Sequence, residues 1–247
     1  MHAGTLGGGG VLLVMPDMAD ALVYYVVFLF STTLHEAAHA WAGHRQGDST
    51  AFHGGQVSLN PLPHIRREPI GMVILPLISA IASGWPIGFA SAPYDPAWAL
   101  RYPRRSALMS LAGPASNLLL VLISALLIRI GQMTGVLLAP DHISFGHVTA
   151  AVGGGWLESV AFLVGAVFSM NLLLATFNLL PVPPLDGSAV VPLFLSEATS
   201  RRYLQTLWRL RGIGLIGLFL AWQVFGRVFN PLFLRAVSLL YPGVSYQ

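Results

Sequence analysis

Long apolar runs organise this chain, with neither the strict alternation of surface strands nor the polar stripe of surface helices. A membrane span needs about 20 predominantly apolar residues. Ala21 to Gly43 forms the first such run, although its second half carries His35, Glu36 and His39. Ser106 to Ile128 and Ser159 to Leu185 hold no charged residue. Gly212 to Phe225 followed by Val228 to Tyr241 makes one long span or two short ones, interrupted by Arg227, Asn230, Pro231 and Arg235. Pro69 to Tyr94 is also uncharged, but Pro76, Gly84, Pro86, Gly88 and Pro93 break any single helix there.

Between the first run and that broken stretch, Asp48 to Pro63 is short, turn-rich and partly alternating around Gln56, Val57, Ser58 and Leu59. It predicts a strand or small hairpin beside the membrane. No loop between spans is long enough for a folded accessory domain, and no repeat is visible. The pattern therefore predicts one integral-membrane domain over 1–247, with a core at about 21–190 and C-terminal spans at about 203–242. The expected fold is an all-α polytopic membrane protein: a three-helix core plus C-terminal spans, with a small membrane-associated β element and a re-entrant segment.

Composition supports that class. Apolar residues make up 55% of the 247 and charged residues 9%, whereas a soluble domain carries about 25% charged residues. An ordinary soluble enzyme and a disordered chain are excluded. Nucleic acid is not an expected partner either, because the 13 basic residues are spread along the chain and form no dense patch. All 13 are arginines, and there is no cysteine, so a metal would have to use His, Asp or Glu. The N-terminus lacks a basic n-region, and its short run Val11 to Met15 ends at Pro16, with Asp17 and Asp20 following. It reads as a poor secretory signal, and the first span is expected to be retained.

Arginine placement decides whether residues 69–94 cross. If they do not, Arg45, Arg66, Arg67, Arg101, Arg104, Arg105, Arg201, Arg202, Arg209 and Arg211 share one side. Only Arg129 then lies opposite, among the loops before residue 212. The positive-inside rule favours that arrangement, with a re-entrant or interfacial element on the cytoplasmic side. The first and third core spans then run parallel, which puts His39 and Asp186 at similar depth in the cytoplasmic half.

His35-Glu36-Ala37-Ala38-His39 is an H-E-x-x-H pattern on a predicted helix. Residues four apart project at nearly the same azimuth, as two ligands of one zinc require. Glu36, about 100° round, is placed to touch metal-bound water. Satisfied core histidines are the bland alternative, but an ionisable group within a span costs roughly 2.5 to 3.5 kcal/mol, and three stand within five residues. A catalytic zinc takes a third protein ligand. Asp186, which ends the uncharged run, is a candidate because Pro181, Pro183 and Pro184 before it unwind the helix, and irregular backbone at that depth implies a protein-lined cavity.

These residues carry a resemblance. H-E-x-x-H in the first core span, with Asn178-Leu179-Leu180-Pro181-Val182-Pro183-Pro184-Leu185-Asp186-Gly187 in a later one, resembles the site-2 protease family of intramembrane zinc metalloproteases. Ala112-Gly113-Pro114-Ala115-Ser116-Asn117 is similar to the glycine-proline-asparagine signature of that family's middle core helix. The resemblance covers roughly residues 21–190. It implies one zinc per chain on His35, His39 and Asp186, Glu36 as catalytic acid/base, and Asn178 binding or polarising the substrate carbonyl. Asn117, Pro181 and Pro183 are candidate supports, with an interhelical hydrogen bond as the alternative for Asn117. The chain lacks the inserted PDZ domain and appended CBS pair of better-known members, and so resembles a minimal branch.

The expected chemistry is hydrolysis of peptide bonds in or near transmembrane segments by zinc-activated water. Gln56 to Leu59 is a candidate strand for pairing with unwound substrate. Expected partners are the bilayer and a transmembrane protein substrate, with a second copy or a regulatory membrane protein as further candidates. The implied location is the bacterial inner membrane, with the site toward the cytoplasm. The resemblance implies anti-sigma factors, membrane-bound transcriptional regulators or leftover signal peptides as substrate classes. An inactive zinc-binding scaffold and a proton or metal transporter are the competing readings, and the retained Glu36 and the missing repeat weigh against them. His64 reads as an interfacial loop histidine, with the site's mouth as its alternative. Trp85, Trp98, Tyr102, Trp156 and Tyr241 read as interface anchors.

Overall fold

The computed structural model describes residues 18–247 except 210, 211, 213, 245 and 247. The run Val11 to Met15, with Pro16, Asp17 and also Arg211, lies outside the described residues. The chain opens with α1 (Met18–Arg45) and continues through the short helices α2 (Thr50–His53) and α3 (Pro61–Arg67). A π-helical turn at Ile70–Ile74 runs into α4 (Leu75–Ser83), and α5 (Pro96–Arg101) precedes the long α6 (Pro103–Met133). The strands β1 (Leu137–Leu138) and β2 (Ala150–Ala151) then lead to α7 (Trp156–Asn178), α8 (Asp186–Val190), α9 (Glu197–Arg209) and α10 (Gly214–Leu240). Among the described residues, α1, α6, α7 and residues 216–240 of α10 are long and apolar enough to cross a bilayer. The protein is an all-α, multi-pass integral membrane protein.

Three of these helices build the core, and their pairings fix their directions. Tyr24 of α1 meets Phe162 of α7, Ser31 meets Asn171, and His35 meets Asp186 beyond the end of α7. Numbers rise together, so α1 and α7 are parallel. Asn117 of α6 meets His35 while Met109 meets His39, so α6 is antiparallel to both. Lipid is as apolar as leucine, so packing here depends on close approach of small residues and on interhelical hydrogen bonds. The seams accordingly bury Ser31, Ala40, Gly113, Asn117, Ala161, Ala166 and Asn171, while Leu119, Leu122 and Leu126 face outward.

Residues 69–94 are re-entrant, as arginine placement predicts. At one end Arg67 Nε donates to the Ser91 carbonyl (3.1 Å), Ser91 Oγ donates to Glu68 (2.5 Å), and the Asp95 amide donates to Asp48 (2.9 Å). The tip instead packs Trp85 against Tyr24 (4.9 Å between ring centroids) and Phe145 (4.2 Å), near the Met18 end of α1. Both ends of the segment thus lie toward the Arg45 end.

Two expectations are corrected and one pair of alternatives is decided. Asp48 to Pro63 forms no strand: Asn60 accepts from the Leu62 amide (3.0 Å) and Pro61 occupies the first helical turn, so capping chemistry starts α3 where alternation predicts a hairpin. Gln56 to Leu59 is an irregular connection, and the sheet among the described residues pairs Leu137–Leu138 with Ala150–Ala151. The C-terminal segment is one helix that continues through Pro231. Trp98 and Tyr241 are buried, at 7% and 4% exposure, and anchor the interior.

Candidate metal centre

The site forms where α1 crosses α6 beneath the turn that follows α7. His35 and His39 stand one helical turn apart, both buried, with their Nε2 atoms 2.9 Å apart. Asp186 Oδ2 lies 3.0 Å from the first and 3.2 Å from the second. The prolines explain how the carboxylate arrives there. They end α7 at Asn178 and let the chain fold back before α8 starts at Asp186. Gly187 packs against the carbonyls of Leu179 and Leu180, where any Cβ would collide with backbone, so glycine is required for the turn that aims Asp186.

Outer partners fix which imidazole nitrogens face inward. His39 Nδ1–H donates to the Met109 carbonyl (2.7 Å), and His35 Nδ1–H donates to Asn117 Oδ1 (2.6 Å). The Asn117 amide donates to Asn171 Oδ1 (2.8 Å), and the Asn171 amide donates to Ser31 Oγ (2.9 Å) and the Val167 carbonyl (2.8 Å). This relay assigns the amide orientations and the histidine tautomers. Both Nε2 lone pairs therefore point at each other and at a carboxylate, a repulsive arrangement that a cation between them resolves. A tetrahedral zinc with bonds of about 2.0–2.1 Å spaces its ligand atoms about 3.3 Å apart, within a few tenths of an ångström of these separations. Gly113 of α6 keeps that volume open, since a Cβ there would collide with both Nε2 atoms. The donor set fits zinc, and hydrogen-bonded outer partners are what metal-ligating histidines require. Asp186 lies outside the spanning helices. Burial opposes its ionisation, but the imidazoles of His39 and His35 outweigh that and hold its carboxyl below the ordinary carboxylate range.

Glu36 is buried at 4% exposure, and its Oε2 has no hydrogen-bond partner among the described residues. An unpaired buried carboxylate oxygen is costly for structure alone, and beside three metal donors it is placed for proton transfer. Of the other residues singled out in the sequence, Asn117 joins the site as the partner of His35. Asn178 ends α7 with its amide donating back to the Leu174 carbonyl (3.0 Å), and among the described residues no hydrogen bond joins it to the three ligands. Pro181 is exposed and Pro183 half-buried in the turn, where they shape backbone. Val57, Ser58 and Leu59 wall an apolar groove of about 300 Å³ against Leu34, Ala37, Ala38 and Trp41 of α1, and Gln56 is buried behind them.

Asn171 gains a role that sequence reasoning did not assign, and His64 a buried position. Asn171 completes the relay; its signal was a polar amide inside an otherwise apolar run. His64 is the one buried side chain of α3, at 1% exposure, which corrects its reading as an interfacial loop residue. Its Nε2–H donates to the Ser58 carbonyl (3.0 Å), and its Nδ1 has no partner among the described residues.

Comparison with known proteins agrees with this geometry. "Putative zinc metalloprotease YwhC" of Bacillus subtilis (strain 168) is 30% identical over 181 residues, 70% of this chain and 73% of that protein. "Putative zinc metalloprotease Rip2" of Mycolicibacterium smegmatis is 30% identical over 204 residues, 80% of this chain and 69% of its own length. The protein of the same name in Mycobacterium tuberculosis (strain ATCC 25618 / H37Rv) is 31% identical over 205 residues, with the same coverage. No solved structure matches the chain. The model of peptidase family M50 matches residues 23–219, a range that takes in His35, Glu36, His39, Asn117 and Asp186. On that match and those relatives, the chain belongs to peptidase family M50, the site-2 protease family of zinc metalloproteases.

Proposed function

We propose that the protein is an intramembrane endopeptidase that hydrolyses peptide bonds in or beside the transmembrane segments of other membrane proteins. The observation that carries this reading is depth. His35, His39 and Glu36 lie on a span-length helix, and their closest outer partners, Asn117 and Met109, come from a second one. A site so placed meets substrates that share the bilayer. His35, His39 and Asp186 would hold one zinc, which would supply a Lewis acid for lowering the pKa of water toward about 7 and for polarising the scissile carbonyl. Glu36 takes the proton from the attacking water and returns it to the leaving amine.

A helical substrate hides its carbonyls in its own hydrogen bonds and must unwind first. The backbone groups of Val57 and Leu59 make no hydrogen bond among the described residues, so an extended peptide lying in the adjacent groove has donors and acceptors to meet. The arginine asymmetry supports an orientation with the Arg45 end in the cytoplasm of a bacterial cell.

The test is to purify the wild type and Glu36→Gln, measure bound zinc, and incubate each with a panel of single-span peptides in bilayers. We expect about one zinc per chain in both, and cleavage slowed about 10²- to 10⁴-fold in the variant. Zinc with no cleavage by wild type across the panel would favour a scaffold, and equal cleavage by both would remove Glu36 from the chemistry.

A further inference from the structure

A second set of polar residues lies at membrane depth, on α10, which supplies none of the metal ligands. Helix α10 packs inward through Ala221, Phe225, Phe229 and Val237. Arg227 follows Phe225 by two positions, which turns it about 200° away from that inward face. Gln223 and Asn230 fall at about 160° and 140° on the same count, and all three are exposed. Pro231 lacks the N–H that would reach the Arg227 carbonyl, so one more acceptor is released at this level. None of the three side chains has a hydrogen-bond or ion-pair partner among the described residues.

Depth makes this stripe informative. Arg227 is the central residue of the 27-residue α10, about 20 Å along the axis from either end. Its neighbour Val228 lines a cavity with Leu118, at the middle of α6, and with Leu172, Thr176 and Leu180 of the second half of α7 and the turn beyond it. The hydrocarbon core extends only about 15 Å to each side of the midplane, farther than an arginine side chain reaches, so snorkelling to a headgroup does not satisfy Arg227. An ionisable side chain at that depth ordinarily faces a partner charge. The described residues offer none on their surface. Glu36 and Asp186 are committed to the metal centre, and the other described acids lie in loops, near helix ends or on the polar α9.

We propose that the outward face of α10 docks the transmembrane helix of a different membrane protein, one that carries an Asp or Glu side chain near mid-bilayer. The carboxylate pairs with Arg227, while Gln223 and Asn230 supply flanking hydrogen bonds. Charge argues against a second copy on this face, because it would set Arg227 against Arg227. The face points away from the α6–α7 side, so α10 stands between the docked helix and the metal ligands. The occupant is thus a bound partner and not the helix being cleaved.

The test reconstitutes the full-length protein in phosphatidylcholine vesicles with a fluorescent single-span polyleucine peptide carrying one central Glu, and reads association by energy transfer. The Glu peptide should bind wild type at least about tenfold more tightly than the same peptide with Gln. Arg227→Leu should abolish that difference, and zinc content should stay near one per chain as the control for folding. Equal binding of the two peptides would overturn the proposal, as would an unchanged preference in Arg227→Leu. Energy transfer between two labelled copies of this chain that disappears in Arg227→Leu would also overturn it, in favour of self-association. This proposal needs only the membrane fold and survives failure of the proteolytic reading.

Discussion

Two polar constellations sit at membrane depth in this protein. Between α1, α6 and the turn after α7, His35, His39, Asn117, Asn171 and Asp186 hold one another at 2.6 to 3.2 Å. On the far side of α10, Gln223, Arg227 and Asn230 touch nothing polar among the described residues. The bilayer charges both groups a similar insertion cost, so each needs a reason to persist. The inner set has its reason inside the chain, in a metal site whose outer hydrogen bonds are complete. The outer set does not, and its reason must come from outside. Ligands held by complete outer hydrogen bonds mark a built site, and exposed polar groups at depth without partners mark a surface awaiting one.

The strongest way to break that contrast is to place one methyl group in each region. Gly113→Ala puts a Cβ against both Nε2 atoms, and we expect bound zinc to fall from about one per chain to almost none, with loss of cleavage. Gly226→Ala, beside Arg227, meets open space and should keep full zinc. Elemental analysis of both purified variants decides it, and equal zinc in the two would contradict the cradle assigned to Gly113. Next in size are the outer partners. Asn117→Ala should weaken zinc affinity by about 10- to 100-fold in chelator competition. Asn171→Ala should lie at the lower end of that range, because it acts one hydrogen bond farther from the metal. A larger loss for Asn171 than for Asn117 would break the proposed order of the relay.

The smallest expected effect separates fold from site. Tyr241 Oη donates to the Val148 carbonyl at 2.6 Å, a buried bond that ties the end of α10 to the loop before β2. Tyr241→Phe should cost about 1 kcal/mol, seen as a thermal midpoint lower by roughly 2–4 °C, with zinc content unchanged. A change in zinc would couple this end of the molecule to the metal centre and blur the division.

Much of the inner constellation was legible in the sequence, because its members obey covalent spacing. Four residues bring His35 under His39, and the prolines before Asp186 announce a broken helix. The re-entrant stretch was legible too, since arginine asymmetry constrains which side each loop occupies. Asn171 and His64 were not, because a lone amide or imidazole has no period, and only tertiary contact reveals what it touches. The supposed hairpin around Gln56 to Leu59 failed for a related reason: alternation over so few residues is weaker than the Asn60-Pro61 cap that begins a helix. Arg227 was visible, yet as an interruption of a span; its outward direction on α10 emerged only once Phe225 and Phe229 were seen to face in.

The central claim is that two imidazoles and one carboxylate hold a single zinc within the membrane bundle. Zinc-edge X-ray absorption on the purified wild type and Asp186→Ala tests it most directly. We expect two histidine nitrogens and oxygen ligands at about 2.0–2.2 Å in wild type, with both imidazoles retained and zinc affinity reduced in Asp186→Ala. A zinc shell with one histidine or none, or a wild type that binds no zinc, would contradict it.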